Sequence, residues 1–424
     1  MDKRFSSLFN ITEDRAIKLL QTPLEELDDV SDRYAAASHL AYFKSDRSIK
    51  ALIEAIQTCD DQLYNRITRR KAIETLGKFK ANEALDVIIS CLDDPDCYTV
   101  ENAVWSIGQI GTEDSLVLDA ITDTLNRAGQ NYRVIIQTLA KLKYVPAVET
   151  IKNFLDDPDL CIQSSAVSSI ASLTNDYSQV DRIVALLQSD SVNARRACIQ
   201  DLIDLNYYQA IPDIVTCPVS LVFRLRAVRH LSNYAIEQGI KTFADIEQYL
   251  DQIILDRPET LTFVHEYDQA PSLEFLISEL YHTDFGRCYL ASQTLLEQHS
   301  SVLGEALVET YKQSAHNDYG GHYHVMKLFG RIKYQPGRDI LLEALDNTAP
   351  QFQKSRGAAA IALGELGNMD DVPAIKNSLK NTQIFDLNYG CLLALDKLGV
   401  EVRSEDLSTN CDRFIEAKLN SQNN

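Results

Sequence analysis

The sequence predicts an all-α protein: a HEAT/armadillo-like α-solenoid of stacked helix pairs, curved, with a concave binding groove. Three observations carry that prediction. The chain resembles itself: CLDDPDCYTVENAVWSIGQIG (91–111) and FLDDPDLCIQSSAVSSIASLT (154–174) align with a divergent copy, TLNRAGQNYRVIIQTLAKLKYV (124–145), between them. The repeat is therefore half of that spacing, in the range of roughly 30 to 45 residues that two-helix units occupy. Each copy reads helix, Asp/Pro/Gly-rich turn, helix, and such a pair buries its apolar face only against its neighbours. Finally, 45% hydrophobic residues with only 16 Gly and 11 Pro in 424 describe a folded, mostly helical chain, too long for one compact core.

Taken in order, residues 1–30 are expected to form an N-terminal cap and 31–235 the N-terminal HEAT-like repeats. These include ITRRKAIETLGKFKANEALDVII (67–89) and LLQSDSVNARRACIQDLIDLNYYQAIPDIV (186–215). Residues 236–275 break the period and read as an irregular helical junction. The pattern returns over 276–424, as in LLEALDNTAPQFQKSRGAAAIALGELGNMDDVPAIKNSL (341–379) and FDLNYGCLLALDKLG (385–399), and SQNN reads as a frayed tail. In the LDDPD turns, Pro95 or Pro158 ends one helix, and Asp96 or Asp159 can cap the next by accepting its free N–H groups. These acidic clusters lack the spacing and terminal Glu of a calcium loop.

The formal net charge of −20 argues against nucleic acid, whose binding depends on neutralising phosphates. Nothing resembles a secretory h-region or a membrane span, so no membrane insertion is expected. Nine cysteines, Cys59, Cys91, Cys97, Cys161, Cys198, Cys217, Cys288, Cys391 and Cys411, are odd in number and contain no C-x-x-C. Reduced thiols in a cytoplasmic protein are the expectation.

In the second helix of the 91–111 unit, Val100, Ala103, Val104 and Ile107 fall on one face, which is core. Trp105, the single tryptophan, points away from it into a sector with Glu101, Asn102 and Gln109, as an exposed indole beside hydrogen-bonding groups. The corresponding positions of the next unit carry Arg133 and Gln137. Glu101, Trp105, Arg133 and Gln137 together would form a patch with an anion, an aromatic face, a cation and an amide, which suits a planar ligand bearing carboxylates. Arginines recur early in second helices (Arg69, Arg70, Arg195, Arg196, Arg224, Arg226, Arg229). They are expected to pair mostly with turn aspartates of neighbouring units.

The stretch HNDYGGHYH (316–324) concentrates three of the eight histidines. If HYHVMKLFGRIKY (322–334) is a helix with Val325, Leu328, Phe329 and Ile332 inward, His322 and His324 lie on opposite flanks, because residues i and i+2 of a helix do not face each other. No metal site is expected there. A Gly-Gly turn over 316–321 would instead bring Asp318, Tyr319 and His316 to one rim of the groove, a trio able to exchange protons. There is no P-loop, dinucleotide fingerprint, H-E-x-x-H or G-x-S-x-G.

VENAVWSIGQIG (100–111), RRKAIETLGKFKANEAL (69–85) and NYRVIIQTLAKLKYVPAV (131–148) resemble the E/F class of cyanobacterial HEAT-repeat phycobilin lyases. The likeness covers nearly the whole chain. A single chain of this length resembles the phycoerythrin-specific members. The resemblance implies attachment of phycoerythrobilin, as substrate rather than permanent cofactor, through a thioether to a cysteine of an apo-phycoerythrin α subunit, with isomerisation to phycourobilin. For that role the residues themselves are expected to serve as follows: Trp105, Glu101, Asn102, Gln109, Arg133 and Gln137 meet the bilin, and Tyr319 and Asp318, assisted by His316, act as acid and base, although the motif matched to the family is ENAVW and not the 316–321 loop. The alternatives are a lyase without isomerisation, and a non-enzymatic scaffold or bilin carrier that chaperones an apo-subunit.

Overall fold

The computed structural model describes residues 11–58, 60 and 62–422. These contain no strand; they form helices joined by short turns, and their contacts divide the chain into two compact units, Met1–Val180 and Asp181–Asn424. The division falls ahead of the 236–275 segment. The first ten residues of the expected cap and the last two of the expected tail lie outside the described residues, whereas Ser421 and Gln422 belong to the closing helix Arg413–Gln422.

In the first unit the second helices of successive pairs are Asp32–His39, Leu63–Phe79, Cys97–Ile110, Tyr132–Lys141 and Leu160–Thr174, each packed on the next. Small residues set the stacking distance. A Cβ on Gly108 would stand 2.8 Å from Cγ2 of Thr138, so only glycine lets the two helices approach this closely. The hydroxyls of Thr75 and Ser106 donate across the seams to the carbonyls of Ala37 and Ile73, at 3.0 and 2.9 Å. Val100, Ala103, Val104 and Ile107 are fully buried, as their spacing predicts.

The turn chemistry also agrees with the sequence reading. Asp96 and Asp159 accept from the amides of Thr99 and Cys161 and cap their helices. Arg69 and Arg70 reach forward to Asp94 and Asp96 of the following turn, at 2.7 and 2.6 Å. Arg195 and Arg229 of the second unit instead meet aspartates far along the chain, Asp284 and Asp412, each at 2.5 Å. Arg226 is exposed.

In the second unit Val192–Asp204 packs on Leu221–Glu237, a second run stacks Phe285–Gln298, Tyr319–Arg331, Gln353–Leu366 and Phe385–Lys397, each on the next, and one helix departs from the repeat. Phe243–Leu255 touches Leu221–Glu237 and, far along the chain, Gln353–Leu366, Phe385–Lys397 and Arg413–Gln422. Polar contacts fix it there. Lys418 reaches Glu247 and Asp251 at 2.8 Å, the Tyr389 hydroxyl donates to Asp251 at 2.6 Å, and Ser421 donates to Glu247 at 2.8 Å.

Candidate functional site

Phe243–Leu255 ends at Asp256, a non-glycine residue in the left-handed region with φ 46°. Its completely buried carboxylate explains the strain. It accepts from the equally buried Arg224, from the Tyr289 hydroxyl at 3.0 Å, from the Tyr323 hydroxyl at 2.5 Å and from Lys327 at 2.5 Å. Burial alone would push this carboxyl up, but Lys327, Arg224 and the Tyr323 hydroxyl outweigh it and hold it well below the usual carboxylate range. Burial and the adjacent carboxylate in turn drive the Tyr289 and Tyr323 phenols far up. Both stay neutral donors.

Next to this centre lies a cavity of about 310 Å³ lined by Arg196, Val222, Phe223, Phe285, Tyr319 and Lys354, with Ser220 and the Pro350–Gln353 turn completing it. Phe285 is buried and stacks on Tyr319 with ring planes 25° apart and ring centres 6.5 Å apart, while Tyr319 is half exposed. The Lys354 ammonium sits 4.0 Å from the ring centre of Phe285, 4.6 Å from Tyr319 and 4.8 Å from Tyr323. Three aromatic faces offer a cation attraction without a proton acceptor. Lys354 is only 9% exposed, and burial pulls its amine down to about 7, with Asp256 and Cys288 opposing the shift. Arg196 stands over the Phe223 ring at 5.1 Å and donates to the Thr283 carbonyl at 3.0 Å. Among the described residues neither Arg196 nor Lys354 forms an ion pair with a carboxylate.

The HNDYGGHYH stretch is built differently from the expected Gly-Gly turn. The helix begins at Tyr319, and both glycines lie in its first turn because the Asp318 carboxylate caps their amides at 2.9 and 2.7 Å. Gly321 is required by a neighbour rather than by a bend, since a Cβ there would stand 2.6 Å from the Tyr281 ring. Asp318 therefore serves as a helix cap. His316 turns its Nδ1 to the Tyr311 carbonyl at 3.1 Å, so the trio does not converge, and only Tyr319 reaches the cavity.

His322 and His324 are each 1% exposed, so the expected flanks are also core, while Ile332 lies just past the helix end. His322 packs on Tyr311 and Phe352, and His324 on Phe285, Tyr289 and Tyr323. Burial, helped by nearby cations, keeps His324 neutral well below the usual histidine range, and burial brings His322 down to about 4.

In the first unit Trp105, Glu101, Asn102, Gln109, Arg133 and Gln137 are all half-buried, so the indole is more covered than its helical angle implied. Glu101 and Trp105 lie on Cys97–Ile110, and Arg133 and Gln137 on the adjacent second helix Tyr132–Lys141. Arg133 is engaged, donating to the Cys161 carbonyl at 2.6 Å where the next second helix begins, and Asn102 donates to the Tyr98 carbonyl at 2.7 Å.

Sequence reasoning singled out Tyr319 in the cavity and noticed Arg196 only as one of a recurring set. It missed Phe223, Phe285 and Lys354, the last of which reads in QKSRGAAAIALGEL as an ordinary surface lysine. A lysine three residues before a conformationally costly glycine, in a helix otherwise rich in alanine, was the available signal.

Stacked helix pairs and cross-repeat Arg–Asp pairing define a HEAT-repeat protein. The HEAT repeats family matches residues 61–133, and the PBS lyase HEAT-like repeat family matches residues 32–58. The uncharacterized phycocyanin operon protein Y of Pseudanabaena tenuis (strain PCC 7409) is 54% identical over 99% of this chain and all of its own length. The bilin biosynthesis protein CpeY of Synechococcus sp. (strain WH8020) is 33% identical over 93% of this chain and 97% of its own. The phycocyanobilin lyase subunit alpha of Nostoc sp. (strain PCC 7120 / SAG 25.82 / UTEX 2576) is 27% identical over 52% of this chain and 84% of its own. The solved complex of CpcE and CpcF of phycocyanin lyase from Nostoc sp. PCC7120 is similar at a TM-score of 0.48 and 25% identity, covering 57% of this chain and 94% of that one. The chain belongs to the HEAT-repeat phycobilin lyase family.

Proposed function

We propose that the protein is a bilin lyase that joins a linear tetrapyrrole through a thioether to a cysteine of a phycobiliprotein subunit. In the finer reading the bilin is phycoerythrobilin, the acceptor is an apo-phycoerythrin α subunit, and the same site isomerises the product to phycourobilin. The observation that carries this reading is the cavity of the second unit. Its aromatic walls, Phe223, Phe285 and Tyr319, suit a flat conjugated ligand, and Arg196, always charged and without a carboxylate partner among the described residues, suits a propionate. The names of the relatives point to the same class of ligand.

The bilin enters as substrate, not as a resident cofactor. The protein's own thiols are poor nucleophiles where they are buried: burial pushes Cys91 up to about 11 and Cys217, Cys288 and Cys391 up to about 12. This favours the partner's cysteine as the bonded sulfur. Attachment adds the thiol across the A-ring ethylidene, and isomerisation shifts a double bond by removing and returning a proton. Both need a positioned proton carrier, and the Tyr319 phenol at the cavity rim is one.

The test is co-expression with phycoerythrobilin synthesis enzymes and a phycoerythrin α subunit, followed by absorbance of the denatured subunit. Covalent colour at the phycoerythrobilin maximum is the lyase result, and a shift to the phycourobilin maximum adds isomerisation. A colourless subunit would leave the carrier or scaffold reading in place.

A further inference from the structure

We propose that Lys354 is the proton-exchanging residue of the second-unit cavity, taking the proton from the incoming thiol and returning it to the tetrapyrrole. This rests on the bilin lyase reading of that cavity. The geometry singles out Lys354. It lines the space a ligand would fill, it donates no hydrogen bond among the described residues, and its ammonium is held only by the faces of Phe285, Tyr319 and Tyr323. Lys327, one helix away, differs on each point, being committed to Asp256 and closed off from this cavity. A lysine caged without an acceptor changes protonation state at little structural cost. Burial accordingly brings its amine to about 7, where both forms are populated near neutrality.

The charged and titratable groups around Lys354 come from several helices. Tyr319, Tyr323, His324 and Lys327 face it from Tyr319–Arg331, with Asp318 at that helix's cap. Cys288 and Tyr289 lie on Phe285–Gln298, Asp256 follows Phe243–Leu255, and Asp386, whose carboxyl burial pushes up, lines a small crevice shared with Lys354. Arg196 lies along the same cavity, and Arg356, on the lysine's own helix, donates to the Leu345 carbonyl at 2.8 Å. His324 and the buried phenols stay neutral through the physiological range, Lys327 is tied to Asp256, and Lys354 is the unpaired amine that faces the cavity.

The step balances without an oxidant. The neutral amine accepts the S–H proton, the sulfur bonds to the exocyclic carbon of the ethylidene, and the displaced π pair moves into the conjugated lactam. The resulting ammonium then protonates the ring carbon. The net change is addition of S–H across one C=C bond, and the lysine is restored.

The experiment compares wild type, Lys354→Arg and Lys354→Met for non-covalent bilin binding, followed by bilin absorbance, and for the rate of covalent attachment between about pH 6 and 9. Wild-type attachment is expected to rise through about pH 7 and level off. Both variants should bind bilin within a few-fold of wild type, yet attach it at least about 100-fold more slowly. Their residual rate should follow the acceptor thiol's own ionisation near about pH 8.5. Arg keeps the charge but does not release its proton at these pH values. Equal rates and profiles for wild type and Lys354→Arg would overturn the role of Lys354 alone, as would a wild-type profile lacking the limb near 7, whether or not either variant folds. Failure of the wild type to attach any bilin would instead remove the lyase reading itself, and this proposal with it.

Discussion

Trp105 in the first unit and Lys327 in the second hold the same place. Each stands three residues before a glycine that lies tight against the next second helix, Gly108 on Thr138 and Gly330 on Ala362. Four residues earlier, Glu101 corresponds to Tyr323. In the first unit these positions are half-buried and carry mixed polar groups. In the second they lie beneath the end of Phe243–Leu255, and Tyr323 and Lys327 both bind the Asp256 carboxylate. The same stacking rule thus yields a partly open polar face in one unit and a closed ionic centre in the other. The difference comes from a single helix that does not repeat.

The largest expected effect breaks that centre. Asp256→Ala leaves Arg224 and Lys327 buried without their counter-charge, a loss of about 3 to 5 kcal/mol. Because the single tryptophan lies in the first unit, urea unfolding followed by tryptophan fluorescence reads that unit, while far-UV circular dichroism reads both. Asp256→Ala should move a large part of the dichroism transition to lower urea and leave the fluorescence transition in place. A parallel shift of both signals would mean that the units do not unfold separately.

Acid should also separate the two regions. His322 titrates near 4 when folded, against about 6.5 in an unfolded chain, so between those values the unfolded state binds the extra proton. Stability of the second unit should therefore fall as pH drops from about 6.5 to about 4, by up to about 3 kcal/mol from this residue. Asp256, held low, adds stability above about pH 3.9 and loses it only in stronger acid. His322→Phe, placed against Tyr311 and Phe352, should lessen the loss between pH 6.5 and 4 in denaturation curves by this residue's share, the rest coming from His324, which burial also holds low. An unchanged slope would show that His322 is not its source.

The glycines test what the units share. Gly108→Ala and Gly330→Ala each force a methyl within 2.8 Å or less of the neighbouring helix, and each should cost about 1 to 3 kcal/mol in thermal or urea unfolding. Similar costs would support one stacking rule. A Gly330→Ala penalty far above that of Gly108→Ala would mean that the covering helix leaves the second unit no room to relax.

What the sequence disclosed follows the same division. The repeat, the Asp96 and Asp159 caps and the forward Arg–Asp pairs are local: each depends on residues within one unit or the next, and periodicity displays them. Phe243–Leu255 was legible as an off-phase helix, but not its role, because its partners Tyr389 and Lys418 lie far along the chain. Lys354 was invisible for the same reason, since rings from two other helices bury it. The Gly320–Gly321 pair was misread because a turn and a close helix approach both call for glycine. A single chain does not distinguish the two.

The smallest expected effects belong to the residues first chosen from the sequence, one in each unit. Tyr319 contributes a ring and a phenol to the cavity but is half exposed, and Lys354 lies deeper, so Tyr319→Phe should slow bilin attachment by about tenfold or less, near 1.4 kcal/mol. Trp105 lies in the first unit, outside the residues that line this cavity, so Trp105→Ala should change attachment by only about two- to threefold. Parallel kinetic assays of the two variants decide which face handles the bilin. A Trp105→Ala defect larger than that of Tyr319→Phe would move the bilin to the half-buried face of Glu101, Arg133 and Gln137, and the enclosed centre around Asp256 would then serve to hold the second unit together rather than to wall a substrate site.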